Sequence, residues 1–232
     1  MEEVIQFLAR RRSIRRYVTK PVPDELVERL LEAGRLAPSR GNSQPWRFIV
    51  VTDSALKNEL YEAAYRQEIV RTAPLLIAVL GVIDARDAVP ARTAELVIAG
   101  AFGTDVKDLA DHVLDGWTLA ELKVDAALNS AIAATHIMLA AHGLGLGCCW
   151  VKLCQDDSVL RVLGVPDGYY NAGLLTVGYP DESPRARPRL PLESLVYYER
   201  FGERAPSVAD GHDTLLSSRP RESSDAHVGA GG

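Results

Sequence analysis

The sequence predicts an α+β fold, a mixed central β-sheet flanked by helices, in one domain over residues 1–204. Three observations predict it. Short apolar runs of strand length lie at Arg47–Val51, Leu75–Ile83 and Ala172–Val177. Helical periodicity fills longer segments between them, yet strands and helices do not alternate regularly, which argues against a strictly doubly wound sheet. The 232 residues are 47% hydrophobic and 25% charged, an ordinary globular balance long enough to bury a full core without disulfide or metal staples. No internal repeat and no compositional shift divides the first two hundred residues.

The elements follow in order. Val22-Pro23-Asp24-Glu25 places proline near a helix start and two acids in the first turn, where the helix dipole favours them. Leu26, Val27, Leu30, Leu31 and Gly34 continue at helical spacing until Pro38. After a polar loop comes the strand at Arg47–Val51, and Asp53 is a good N-cap for a helix reaching about Ala64. Leu75–Ile83, interrupted only by Gly81, suits a strand buried on both faces. The pattern loosens over 84–123, where Pro90, Gly100, Gly103 and Gly116 interrupt short amphipathic pieces, as in a helical insertion or lid. Asp125–His142 is apolar nearly all round and belongs at the centre of the domain. Gly147–Leu153 reads as a strand, Asp156 or Asp157 caps a short helix ending at Gly164, and Ala172–Val177 is a further buried strand. Residues 205–232 lose all periodicity and read as a disordered tail.

Charge narrows the partners. With 26 Lys and Arg against 31 Asp and Glu the net charge is −5, which gives no general attraction to nucleic acid or anionic lipid. The start, Met-Glu-Glu-Val-Ile, is acidic where a signal peptide is basic, so a cytoplasmic location is expected. Ala131–Val151 carries no formal charge and has the length of a membrane span, but Gly143, Gly145 and Gly147 break it into a buried helix and a buried strand. Cys148, Cys149 and Cys154 lack zinc spacing and read as core residues. His136 and His142 lie six apart and do not form a metal pair on one helix face. No metal site is expected.

Two segments carry chemistry. Arg10-Arg11-Arg12-Ser13-Ile14-Arg15-Arg16 puts five arginines in seven positions. Guanidinium groups bind phosphate in bidentate fashion, and the serine hydroxyl adds a short neutral hydrogen bond. A solvated basic face is the plainer alternative. Ala37-Pro38-Ser39-Arg40-Gly41-Asn42-Ser43-Gln44-Pro45-Trp46 is a polar loop whose serine, asparagine and glutamine side chains offer both donors and acceptors to a heteroaromatic ring, or simply form a turn anchored by Trp46. Gly143-x-Gly145-x-Gly147 follows a helix and precedes a strand, the reverse of a dinucleotide loop.

Taken together, Arg11-Arg12-Ser13-Ile14-Arg15, Val22-Pro23, Ala37-Pro38-Ser39, Asn42-Ser43-Gln44-Pro45-Trp46-Arg47-Phe48, Thr72-Ala73-Pro74, His142-Gly143-Leu144-Gly145, Trp150, Gly178-Tyr179-Pro180 and Arg187-Pro188-Arg189-Leu190-Pro191-Leu192 resemble the nitroreductase family of FMN-dependent oxidoreductases. The motifs occur in order over about residues 4–200.

The resemblance implies an intertwined homodimer with FMN at the subunit interface. Arg11, Arg12, Ser13, Ile14 and Arg15 would hold phosphate, ribityl chain and pyrimidine edge, while Pro38, Ser39 and Asn42 would come from the other subunit. Cys148, Cys149 and Trp150 would pass backbone close to the flavin, Arg187 and Arg189 would complete the phosphate site, and Gln67 would contact the pyrimidine. NADH or NADPH would supply hydride and a nitroaromatic, quinone or related small acceptor would take the electrons, with no protein nucleophile among the catalytic groups. Other members of the family act as dehalogenases or as dehydrogenases on biosynthetic intermediates, and a non-enzymatic flavin-binding protein is a further alternative. Phe102 and Trp117 of the 84–123 lid could stack on an aromatic substrate, and Arg40-Gly41 departs from the small polar residues common in that loop.

Overall fold

A computed structural model describes residues 2–101 and 116–203. The chain divides into two compact units, residues 1–186 and the segment from Arg187 onward. The expected tail at 205–232 and Phe102 lie outside the described residues.

The first unit opens with α1, Glu2–Arg10, and α2, Asp24–Arg35. Pro23 is the N-cap of α2, with Asp24 and Glu25 in its first turn and Arg35 in its last, each placed where the dipole stabilises it. A short 3₁₀ turn at Arg40–Asn42 leads to β1, Trp46–Val51. Asp53 caps α3, Ser54–Ala63, by accepting the Leu56 N–H at 2.8 Å. The five-residue α4, Glu68–Thr72, then feeds β2, Leu75–Val82.

Beyond a 3₁₀ turn at Arg86–Ala88 the insertion forms α5, Val89–Ile98. The central helix α6 runs Leu119–Gly143 and begins six residues before the expected Asp125. Thr118 and Glu121 close a reciprocal capping box there, satisfying two backbone donors in a stretch whose pattern reads as loose. β3 (Gly147–Val151), α7 (Asp156–Val162) and β4 (Tyr169–Gly178) complete the unit.

The strands lie in the order β1-β2-β4-β3. The three pairings are antiparallel, and a parallel contact joins Ser13 to Cys148 on the outer side of β3. Residues 75–81 of β2 are all buried, because helices cover both faces of the sheet. On one face α2 and α6 pack Leu30, Ala134 and Ile137 against Ile77, Val79, Leu175 and Val177. On the other, α3, α4 and α7 pack Leu60, Val70 and Val159 against Leu76, Ala78 and Leu174. Each fully buried Leu, Ile or Val among them contributes about 1.5–3 kcal/mol.

Two glycines set the depth at which α6 lies. A Cβ on Gly34 of α2 would fall 2.9 Å from Ile137, and one on Gly81 of β2 would fall 2.8 Å from the Ala126 carbonyl oxygen. By length and composition α6 could cross a membrane. Its buried face, Leu122, Ala126, Asn129, Ser130, Ala133, Ala134, Ile137 and Ala141, shows it to be a core helix of this fold.

Candidate functional site

The arginine-bearing segment leaves α1 and runs along the outer edge of β3. The Ile14 N–H donates to the Cys148 carbonyl at 3.1 Å. Such close approach requires a residue without a side chain opposite, and a Cβ on Gly147 would lie 2.7 Å from Ile14 Cβ. Further on, the Val18 N–H donates to the Tyr179 carbonyl and the Asp181 N–H to the Arg16 carbonyl, each at 2.9 Å. The Tyr17 hydroxyl donates to the Ile14 carbonyl at 2.6 Å and shares a 2.7 Å hydrogen bond with the Thr176 hydroxyl. Burial drives the Tyr17 phenol far above its ordinary range, so it is a neutral fastener.

The arginines are not equivalent. Arg12 turns back on α1, its Nη1 donating to the carbonyls of Ala9 at 2.5 Å and Arg11 at 2.9 Å, which satisfies acceptors that the helix end leaves open. Arg16 pairs with Glu182, Nε to Oε2 at 3.4 Å. Among the described residues Arg11 and Arg15 pair with no carboxylate side chain. The Ser13–Cys148 contact lays the stretch that carries Arg11 and Arg15 along the outer side of β3.

A concavity of about 290 Å³ adjoins them, lined by Arg10, Arg11, Arg12, Ile14, His142, Cys148, Pro180 and Glu182 among others. His142 stacks on Phe7 of α1 with ring centres 4.8 Å apart. Partial burial first, and then the charges of Arg11, Arg10 and Arg12, hold the imidazole below its usual pKa, against a raising contribution from the Phe7 backbone.

Beyond Cys148 no backbone group among the described residues pairs with the outer side of β3. The peptide groups of an antiparallel strand alternate between its two sides. The Cys148 carbonyl faces outward to Ile14, the Cys149 carbonyl faces β4, 3.4 Å from the Thr176 hydroxyl oxygen, and the Trp150 N–H and carbonyl therefore face outward again.

The Trp150 ring is seated by a bulge in β4. Pairing passes from Val79–Gly173 to Leu80–Asn171 and leaves Ala172 extra, and the Ala172 carbonyl accepts the indole N–H at 2.9 Å. Gly173 has φ of +131°, and a Cβ there would fall 2.3 Å from the indole nitrogen. Burial raises the pKa of the Cys148 and Cys149 thiols, so neither is an activated thiolate. Burial and then Asp156 raise that of Cys154.

The loop 37–46 is tied elsewhere. Arg40 makes a bidentate ion pair with Asp125 of α6, Nε to Oδ1 at 2.8 Å and Nη2 to Oδ2 at 2.9 Å, and lies 5.1 Å from the centre of the Trp117 ring. The Arg40 N–H donates to Asn129 Oδ1 at 2.9 Å. Trp117 therefore carries a guanidinium on its face. The Ser39 hydroxyl accepts the Gln44 N–H at 3.0 Å, Asn42 Nδ2 reaches Glu95 of α5 at 3.5 Å, and Pro38 enters the 3₁₀ turn. Gln67 is the N-cap of α4, and its amide donates to the carbonyls of Ala64 at 2.9 Å and Leu153 at 2.6 Å, just past the end of β3.

Of the expected site residues, Arg11, Arg12, Ser13, Ile14, Arg15, Cys148, Cys149 and Trp150 come together along β3. Gln67 reaches the chain just beyond that strand, and Pro38, Ser39 and Asn42 sit on a separate loop. Arg187 and Arg189 belong to the second unit, where Arg189 donates to the Pro188 carbonyl at 3.3 Å. The sequence reading passed over Glu182 and Asp125, each of which holds an arginine far away in the chain. No short-range pattern marks either. Among the described residues no group of three or more His, Cys, Asp or Glu is placed to hold a metal ion.

Fold and site define a layered α+β protein with a cationic segment clipped to the open edge of its sheet. The chain belongs to the nitroreductase family, whose model matches residues 8–179. It is 34% identical over 192 residues to an NADH dehydrogenase of Thermus thermophilus, covering 82% of this chain and 92% of that protein. It superposes with a TM-score of 0.74 and 26% identity on a protein described as a nitroreductase from Exiguobacterium sibiricum, solved in complex with FMN, covering 84% of this chain and 96% of that one. The NADPH:FMN oxidoreductase of Vibrio harveyi, solved with NAD+, matches with a TM-score of 0.68 and 26% identity over 86% of this chain and 78% of its own.

Proposed function

We propose that this chain is an FMN-dependent oxidoreductase that takes hydride from NADH or NADPH and passes electrons to a nitroaromatic, quinone or related small acceptor. The observation that carries the reading is the seating of the Arg11–Arg15 segment on β3, through the Ser13–Cys148 contact, beside an edge whose Trp150 peptide group faces outward. Two cations without carboxylate partners and a hydroxyl suit a phosphate and its polyol chain, and an open strand edge suits the amide-like rim of a flat heterocycle. The donor set therefore fits FMN, which when bound supplies the hydride chemistry itself.

The side chains do the rest. Arg11 and Ser13 bind the phosphate end. Arg15 would hold positive charge at the ring end of the cofactor. The Ala172 bulge keeps Trp150 and its peptide group in one position. The Gln67 amide spends both its N–H donors on carbonyls, which leaves its oxygen as an acceptor. Tyr17 and the buried cysteines, neutral and packed, exchange no protons.

A homodimer completes the proposal. In the single chain α1 leaves Val4, Ile5 and Leu8 exposed, and α6 leaves a stripe of Val124, Leu128 and Ile132 at spacings of four. These are apolar helix faces of the kind a second copy covers. The dimer would bring Pro38, Ser39 and Asn42 of one subunit to the cofactor of the other. The 84–123 lid, whose last residues 119–123 already belong to the central helix, would give selectivity among acceptors.

The test is anaerobic titration of the FMN-reconstituted protein with NADH and NADPH, followed at the flavin absorption band. Bleaching by either nucleotide, and recovery on adding a quinone or nitroaromatic, supports the reading. Bound flavin that neither nucleotide bleaches refutes the hydride donor, and failure to retain FMN at all refutes the cofactor.

A further inference from the structure

Five arginines in seven residues repel one another and offer more positive charge than one phosphate needs. Among the described residues the carboxylate that hydrogen-bonds to this segment is that of Glu182. Glu182 lines the same concavity as Arg10, Arg11 and Arg12, and its side chain is only 16% exposed. Its Oε1 accepts the backbone N–H of Arg15 at 2.5 Å and that of Arg16 at 3.3 Å. Its Oε2 lies 3.4 Å from Arg16 Nε, and Arg16 is 72% exposed.

Magnitudes decide which of these contacts matters. An ion pair with one partner mostly in solvent is weak and screened by salt. A shielded carboxylate that accepts two main-chain N–H groups makes charge-assisted bonds, and its removal leaves those donors without a protein acceptor. Glu182 therefore acts chiefly on the backbone. It fixes the chain between the Ser13–Cys148 contact and the Tyr17–Pro180 contact, the stretch that carries Arg15.

We propose that Glu182 is the positioning residue of the anion site: it pins the Arg15–Arg16 backbone, withdraws Arg16 to the surface, and so leaves Arg11 and Arg15 as the cations presented to the cofactor phosphate and ring. This rests on the reading of the segment as an FMN site. It also assigns Arg16, the most conspicuous end of the cluster, to the fold and not to the ligand.

The two roles a carboxylate can have here predict opposite signs. If Glu182 acted only through its charge, neutralising it would raise the positive field and tighten binding of an anion. If it positions the backbone, a neutral side chain of the same length retains the site, and a charged one that is too short does not.

The experiment measures FMN and riboflavin binding to the apoprotein by quenching of flavin fluorescence. The set is wild type, Glu182→Gln, Glu182→Asp, Glu182→Ala and Arg16→Ala, with circular dichroism as the control for folding. Glu182→Gln and Arg16→Ala are expected to keep FMN affinity within about threefold, whereas Glu182→Asp and Glu182→Ala lose about tenfold or more, as for a lost charge-assisted contact. Riboflavin, which keeps the ring assigned to Arg15 but lacks the phosphate, binds wild type more weakly than FMN and loses affinity in the same two variants.

If Glu182→Gln and Glu182→Ala both tighten FMN binding, or if Glu182→Asp behaves as wild type, the positioning role is overturned while the FMN site stands. Wild-type protein that binds riboflavin as tightly as FMN overturns the site and the positioning role together. Should Glu182→Ala fail to fold, the opposed expectations for Glu182→Gln and Glu182→Asp still decide the matter.

Discussion

The segment Arg10–Val18 and the loop Ala37–Trp46 both set arginine among small polar residues, and they are held in opposite ways. The first is fastened by its main chain, through Ile14 to Cys148 and Val18 to Tyr179, with Gly147 making room. Among the described residues its side chains Arg11 and Arg15 consequently pair with no carboxylate. The second is fastened by a side chain, since Arg40 spends both ends of its guanidinium on Asp125 and its face on Trp117. Its charge is already answered. Positive residues in a sequence are thus not the same as positive charge on offer, and what decides is whether backbone or side chain carries the anchoring.

The largest test of this contrast is Gly147→Val. Its new side chain would drive into Ile14, and overpacking of this kind costs about 1–3 kcal/mol. We expect a loss at the upper end of that range in urea unfolding at fixed protein concentration, because edge strand and clipped segment must separate. A variant within about 0.5 kcal/mol of wild type, the range of an ordinary surface change, would show that main-chain contact is not what holds the segment.

Next come Arg11→Ala and Arg15→Ala. Each removes a cation that no carboxylate side chain among the described residues neutralises, so each is expected to weaken FMN binding about tenfold, in line with about 1.5–3 kcal/mol for a hydrogen bond to a charged group. Thermal stability should hardly change, since neither guanidinium anchors the fold. A loss of stability with unchanged FMN affinity would reverse the assignment of the two anchoring modes.

Asp125→Asn should behave in the reverse manner. It leaves Arg40 without its counter-charge in a partly buried position, with exposures of 32% and 15% for the two side chains. The expected cost is about 1 kcal/mol, between an exposed pair and a buried one. It should shrink at high salt, where screening already weakens the wild-type pair. FMN affinity measured on the same samples is expected to move less than for Arg11→Ala. A cost independent of salt would mean that the Arg40–Asp125 contact works through packing on Trp117 instead of through charge.

The same division explains what the sequence made legible. Apolar runs specify β2 and β4 because burial on both faces needs no partner to be recognised, and Asp53 announces α3 because a cap acts within three residues. The arginine cluster, dense and local, is visible in the sequence too, where it reads either as an anion site or as a solvated basic face. Asp125 and Glu182 are not visible there, since one stands 85 residues from Arg40 and the other 166 from Arg16, and only the folded sheet brings each pair together. The early start of α6 escaped because Thr118 and Glu121 lie in a stretch interrupted by glycine. The Ala172 bulge escaped because Gly173 looks like any other strand glycine until Trp150 is packed on it.

The smallest expected effect probes the field of the cationic segment directly. His142 shares the concavity with Arg10, Arg11 and Arg12, and its pKa is depressed by partial burial and by those charges. A histidine depressed on folding is neutral in the native state at pH values where the unfolded chain already takes a proton. Its contribution to stability is therefore full above the unfolded value of about 6.5, and is lost as pH falls from there toward the native pKa. Replacing His142 with Phe, which keeps a ring against Phe7, should flatten the acid side of the stability profile in that window. Proton NMR titration of the histidine should show its pKa rising toward the ordinary value with added salt and in Arg11→Ala, because screening or removing the neighbouring cations relieves the repulsion. A pKa that ignores both would mean that burial alone depresses it, and that the cations of this segment point their charge away from the concavity.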